Sequence, residues 1–151
     1  MLLTRFALHA GVLIALFQLA ACDDPLRPRD VAGTYVLQLV RGQTLPAVLG
    51  EGERWQRRVL ADTLRLNADG TGSETWILEY TGDYASESGR LEVPFVFEIN
   101  DGRLEGWYLC TAEAFCLPVV QPLRGGFRRG GARLDAALFG EAPLEFVRVD
   151  R

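Results

Sequence analysis

Beyond residue 32 the chain alternates between apolar and polar positions in short runs. In Gly33–Val40 the period is two, with Tyr35, Leu37 and Leu39 on one face. That period marks a half-buried strand, because successive side chains point to opposite sides of the backbone. Residues 57–67 bring Leu60, Leu64 and Leu66 together, Ala68-Asp69-Gly70 turns the chain, and 71–80 returns with Trp76, Leu78 and Tyr80. Two alternating runs around a turn sequence predict a hairpin. In 91–99, Leu91, Val93, Phe95, Phe97 and Ile99 alternate against Glu92 and Glu98, and Pro94 implies an edge or a bulge. Asn100-Asp101-Gly102 is a second hairpin turn, leading into a strand over 103–110.

The later pattern is weaker. Residues 116–123 hold an apolar run interrupted by Pro118 and Pro122. Residues 124–133, RGGFRRGGAR, read as a glycine-rich turn carrying solvated arginines, with strands at 132–140 and 143–149 on its far side. Two stretches read as long loops. The first, 41–56, contains Gly42, Pro46, Gly50 and Gly52; the second, 81–90, is polar. About eight short strands with no helical period predict an all-β antiparallel meander, closing into an up-and-down barrel. Closure removes the exposed edges that an open sheet would leave. The inward set is Tyr35, Leu37, Leu66, Trp76, Leu78, Phe95, Phe97, Tyr108, Leu134, Leu138 and Phe146. So many large side chains favour a filled interior over an open ligand cavity.

The first residues follow a different rule. Arg5 precedes a mostly apolar run from 6 to 19, and small residues follow at Ala20 and Ala21. This is the layout of a secretory signal peptide over 1–21, too short and too interrupted for a spanning helix. Leu19-Ala20-Ala21-Cys22 resembles a bacterial lipobox. The resemblance implies a diacylglyceryl group on the Cys22 sulfur, cleavage before Cys22, and a domain held to a cell-envelope membrane on its periplasmic side. Residues 22–32 then form the lipidated tether, and 33–151 the folded domain.

Removal of 1–21 changes the available chemistry. The chain has no lysine and a single histidine, His9, so the mature protein has neither. Ser-His-Asp and Cys-His catalysis, histidine-based zinc sites and Schiff-base lysines are thereby excluded. Fifteen arginines stand against 20 carboxylates in the mature chain, a net −5 that gives no reason to expect nucleic-acid binding. Glu51, Glu53, Glu79, Glu92, Glu98 and Glu105 fall mostly on the solvent side of the strand patterns. The expectation is therefore a protein without catalysis, cofactor or metal, in which no single acid is indispensable. Cys110 and Cys116, with five residues between them in an oxidising compartment, are expected to form a disulfide across a hairpin end. A loop that small is worth roughly 2–2.5 kcal/mol in the chain-entropy account.

Gly33-Thr34-Tyr35 followed by Gly42-Gln43-Thr44-Leu45-Pro46, the hairpin around Leu64–Thr71, and the closing Leu144-Glu145-Phe146-Val147-Arg148 are similar to segments of small bacterial lipocalin-like lipoproteins. Lipocalins proper open with Gly-x-Trp, and Tyr35 stands at that position here. The resemblance implies a small apolar ligand inside the barrel, facing some of Tyr35, Trp55, Trp76, Phe95, Phe97 and Tyr108. The apolar stretch Leu45–Leu49 with Trp55 either covers the barrel mouth or plugs it as core. Two alternatives stand beside ligand binding. One is a filled barrel acting as a surface scaffold for a protein partner. The other is a carboxylate- and tyrosine-dependent enzyme within the barrel. The arginine cluster at 124–133 has a sharper reading too, as a patch for anionic headgroups beside the anchoring membrane.

Overall fold

The computed structural model describes residues 25–83, 85–109, 122–137 and 143–150. Among the described residues, ten strands follow a one-turn helix, α1 (Pro28–Val31). They are β1 (Gly33–Val40), β2 (Gln43–Thr44), β3 (Ala47–Gly52), β4 (Trp55–Leu66), β5 (Thr71–Gly82), β6 (Ala85–Asn100), β7 (Arg103–Tyr108), β8 (Leu123–Arg128), β9 (Gly131–Ala136) and β10 (Leu144–Arg148). From β4 to β10 each strand pairs antiparallel with the next, β10 pairs with β1, and β1 closes the ring on β4. The result is the expected all-β barrel, eight-stranded and antiparallel, with β2 and β3 as additions.

Those additions correct the loop reading of 41–56. β1 and β4 pair only over Gly33–Val36 against Leu66–Thr63 and then diverge. Divergence leaves two rows of backbone groups without a ladder, and buried backbone polar groups must be satisfied. The returning chain supplies the partners: β2 pairs with Leu39 and Val40, and β3 pairs with β4 from Val59 to Trp55. Ala47 and Leu49 are buried and Leu45 packs on the core, so this apolar stretch is wall rather than cover.

The reading of 81–90 as a loop is also corrected. β5 and β6 stay paired out to Gly82 and Ala85. Residues 86–90 are exposed on both faces, so the ribbon projects past the core. Strand patterns depend on one buried face, and here there is none. Pro94 sits where the β6–β7 ladder stops. The last pair is Phe95–Tyr108, and beyond it the Pro94 carbonyl accepts one bond from the Leu109 N–H. Among the described residues, β6 from 85 to 93 has β5 as its only ladder partner, so the proline marks an edge as expected.

The glycine-rich cluster is a third correction, being mostly strand. β8 and β9 occupy 123–128 and 131–136, leaving only Arg129 and Gly130 to turn. A Cβ at Gly125 would collide with the Arg133 carbonyl and press on Leu134, so glycine there permits the close approach at a register shift. Of the expected inward set, nine residues are buried, Leu78 is half-buried, and Leu138 lies outside the described residues. Leu60 is displaced by a bulge between Val59 and Ala61, which turns Val59 inward in its place.

The helical turn closes one barrel end, where a bare tether was expected. The Arg27 N–H donates to Asp30 Oδ2 at 2.9 Å, and buried Val31 accepts a bond from the Tyr35 hydroxyl at 2.7 Å. Outside, Arg58, Glu79, Glu92, Arg103, Arg133 and Asp135 carry charge around the wall. Apolar inside and charged outside is the reverse of a transmembrane barrel. Among the described residues no helix is long and apolar enough to cross a membrane.

Candidate functional site

Among the described residues, two carboxyls point into the barrel. After the β4 bulge the inner positions are Asp62, Leu64 and Leu66; on β5 they are Gly72, Glu74 and Trp76. Asp62 pairs with Trp76 and Leu64 with Glu74, so the two acids are diagonal neighbours on one inner wall. Both are 0% exposed. From β7, across the width of β6, the Tyr108 hydroxyl donates to Glu74 Oε2 at 2.5 Å. Phe95 on β6 meets the Tyr108 ring edge-on at 6.0 Å and lies 6.1 Å from Phe97. Gly72 opposes Phe95, and a Cβ there would overlap its ring.

The electrostatics follow from that placement. Burial pushes Asp62 well above the ordinary aspartate range, and the neighbouring Glu74 carboxyl pushes it further. Burial also raises Glu74, against the pull of its hydrogen-bonding neighbours Tyr108, Trp76 and Asp62. Two adjacent carboxylates in a dry interior cannot both ionise, so the pair retains a proton. Neither oxygen of Asp62, nor Glu74 Oε1, has a well-formed hydrogen-bond donor among the described residues. The Thr63 backbone pulls the Asp62 pKa down, as the last of its influences. A proton shared between the two carboxyls satisfies one oxygen of each and leaves acceptor capacity over.

The arrangement can accept hydrogen bonds from a donor group entering the barrel. It can also hold and release a proton beside a tyrosine. Among the described residues no third Asp, Glu, His or Cys joins the pair to make a metal-binding group.

The aromatic residues expected to face a ligand divide into three places. Trp76, Phe95 and Tyr108 surround the acid pair, and Phe97 extends that cluster. Tyr35 is buried but belongs to the plugged end, 6.2 Å from Phe127 and under the Arg148 guanidinium at 5.9 Å. Trp55 is 41% exposed and stacks on Tyr80 at the ribbon end, away from the others. Cys22, Cys110 and Cys116 lie outside the described residues.

The solvent-side reading of Glu51, Glu53, Glu92 and Glu98 agrees with their exposure, and Glu79 and Glu105 are half-buried. Asp62 and Glu74 are the two acids that the solvent-side reading did not name, and both are buried. The alternation itself carried the signal. If Trp76 points inward, so must Glu74, and if Leu64 and Leu66 do, so must Asp62.

An outer groove of about 580 Å³ runs along the strap end, lined by Pro28, Thr71, Val96, Ile99 and Trp107 among others, and contains neither carboxyl. Fold and site together define a closed antiparallel β-barrel with a polar cluster built into an apolar interior. In comparisons with protein-family models, with curated proteins and with solved structures, the chain matches none.

Proposed function

We propose that this chain is a lipocalin-like, lipid-anchored module of the bacterial cell envelope that binds a small ligand without transforming it. The anchor rests on the Leu19–Cys22 lipobox and the apolar run before it. The binding reading rests on one observation: a carboxyl pair buried on the inner wall of a closed barrel, with acceptor capacity that neither its shared proton nor a well-formed donor among the described residues fills. Burying polar atoms unsatisfied costs about 1–3 kcal/mol each, and a barrel kept only for stability has no use for them. The ligand that fits is mostly apolar, to match Trp76, Phe95 and Phe97, with a hydrogen-bond donor at the end that meets Asp62 and Glu74.

Native mass spectrometry of the protein extracted from its own envelope tests this. A retained small molecule is expected, lost or weakened in Glu74→Gln and Tyr108→Phe. Bare protein in every preparation, with no saturable change in Trp76 fluorescence on titrating fatty acids or small aromatics, would leave the surface-scaffold reading in its place.

A second reading is favoured by the raised carboxyl pKa values. A carboxyl pair that keeps a proton beside Tyr108 is a general acid in waiting, as enzymes make by burial and like charge. That reading predicts recovery of a chemically altered ligand, with a pH profile that Asp62→Asn abolishes. The binding reading predicts recovery of the ligand unchanged.

A further inference from the structure

The barrel's two ends differ in a way the interior site does not use. The strap end is closed by α1, and one residue ties its parts together. The Arg148 N–H donates to the Gly130 carbonyl at 2.9 Å, and Arg148 Nη2 donates to the Ala32 carbonyl at 2.5 Å. The β8–β9 turn, with exposed Arg128 and Arg129, therefore sits beside the strap. No carboxylate of the described residues pairs with either arginine. Leu26 and Val149 are exposed at the same end, and Trp107, 47% exposed, shares its groove with Pro28. Of the carboxylates beside the strap, exposed Glu98 lines the Trp107 groove, while Asp30 and Asp150 are already engaged. Asp30 accepts from the Arg27 N–H and faces Arg29, and Asp150 accepts from the Thr34 N–H at 2.6 Å and faces Arg148.

We infer that this end of the barrel docks on the phospholipid headgroup layer of the membrane that holds Cys22, with Trp107 at the interface and Arg128 and Arg129 on phosphates. The inference rests on the lipid anchor proposed above. Three residues, Cys22 to Asp24, separate the anchor from Pro25. Fully extended they span roughly 10 Å, so the strap end cannot stand far from the bilayer. Tryptophan suits the headgroup boundary, having an apolar body and a polar N–H. Arginine binds phosphate through its planar fork. Net charge is not the driving force, because Asp23 and Asp24 lie in the link, and Asp69, Glu98 and Asp101 lie on the neighbouring hairpins. The opposite end, with Trp55 stacked on Tyr80, points into water, so a ligand reaches the barrel from the aqueous side.

The two exposed tryptophans make the orientation measurable, since Trp76 is buried and supplies a constant background. The full protein is reconstituted in phosphatidylcholine/phosphatidylglycerol vesicles carrying a bromine-labelled acyl chain near the headgroup. Flotation with the vesicles reads the anchor. Quenching reads the docking: it is expected in the protein and in Trp55→Phe, and lost in Trp107→Phe. Arg128→Gln with Arg129→Gln removes two phosphate contacts and is expected to reduce the quenching while flotation is unchanged. Flotation without quenching of Trp107, or with quenching of Trp55 instead, overturns the docking and leaves the anchor standing. Failure to float overturns the anchor; docking then survives only if added vesicles still quench Trp107, and falls if they do not.

Discussion

Tyr35 and Tyr108 are both buried tyrosines of one barrel, and they do opposite things. The Tyr35 hydroxyl donates to the Val31 backbone carbonyl, which pins the strap across the barrel end. Its wall of β1, β9 and β10 is otherwise apolar, with Leu37, Leu134, Leu144 and Phe146. The Tyr108 hydroxyl donates to Glu74, which shares a proton with Asp62 and leaves the pair with acceptor capacity that no well-formed donor among the described residues fills. A buried polar group with a backbone partner is finished, and the barrel gains only order from it. One bonded to an incomplete carboxyl pair is an unfinished network, which costs stability and is kept where it serves a ligand or a proton.

The sharpest way to break this comparison is to treat both walls alike. Phe146→Ala on the apolar wall should cost about 3–5 kcal/mol, the usual loss for a buried phenylalanine. On the acid wall, Asp62→Leu with Glu74→Met and Tyr108→Phe replaces the whole network with apolar side chains. That triple variant should be neutral or stabilised by roughly 1–4 kcal/mol, as for other buried polar clusters replaced as a unit. Denaturant midpoints at constant slope measure both. A triple variant as damaged as Phe146→Ala would make the acid pair a structural element and remove the argument for a ligand.

The inner wall was legible from the sequence wherever the period of two ran unbroken, as from Thr34 to Leu37 and from Val93 to Phe97. It failed where one residue shifts the phase: the bulge at Val59/Ala61 exchanges Leu60 for Val59, and no local signal announces it. It failed again where a strand has no buried face, as in 86–90, and where glycine replaces the side chains that pattern is read from, as in β8. β2 and β3 were illegible for another reason, since they exist to fill a wedge that only closure creates. The acid pair was legible in principle, because Glu74 follows from Trp76 and Asp62 from Leu64. The default assignment of charged residues to solvent hid it.

Single-atom changes sharpen the contrast between the tyrosines. Tyr35→Phe removes one neutral hydrogen bond and should cost about 0.5–1.5 kcal/mol. Tyr108→Phe removes the same atom but strands a buried carboxyl oxygen, so about 1–3 kcal/mol is expected. It should also raise the Glu74 pKa further, because Tyr108 is the strongest influence holding it down. Equal costs for the two variants would show that Glu74 finds another donor.

The acid pair leaves a signature in pH that the apolar wall cannot. Asp62 and Glu74 titrate higher in the folded protein than in the unfolded chain, so the folded state holds more protons. Their contribution to stability is fully present below the ordinary carboxyl pKa, and is lost as pH rises from there through the raised folded values. The slope approaches about 1.4 kcal/mol per pH unit for each proton released on unfolding. Asp69 and Asp150 run the other way: their lowered values give stability that is lost as pH falls through the folded pKa. Both are surface groups held by hydrogen bonds, so their effect is the minor one. Asp62→Asn should flatten the fall on the alkaline side and leave the acid side unchanged. A stability curve that rises from pH 5 to 8 in the natural protein contradicts a buried, protonated pair.

The smallest expected effect comes from the outer face of the same two strands. Arg58 and Glu79 are direct cross-strand partners of β4 and β5, with Nη1 3.3 Å from Oε2, and lie on the wall opposite Asp62 and Glu74. Opposite charges in water and like-signed acids in the interior are thus separated by one thickness of sheet. The outer pair is about one-third exposed on each side, with side-chain exposures of 35% and 29%. Its attraction is weakened by water and by salt, whose screening length is about 8 Å at physiological ionic strength. Partly exposed ion pairs of this kind contribute about 0.2–1 kcal/mol, and Arg58→Ala should cost no more than that plus the packing of its alkyl stem. Raising salt to 1 M should shrink the charge part of the loss and leave the consequences of Asp62→Asn unaltered, because no screening ion reaches a fully buried carboxyl. If salt moves both variants equally, Asp62 is in contact with solvent, and the barrel is open where it is drawn closed.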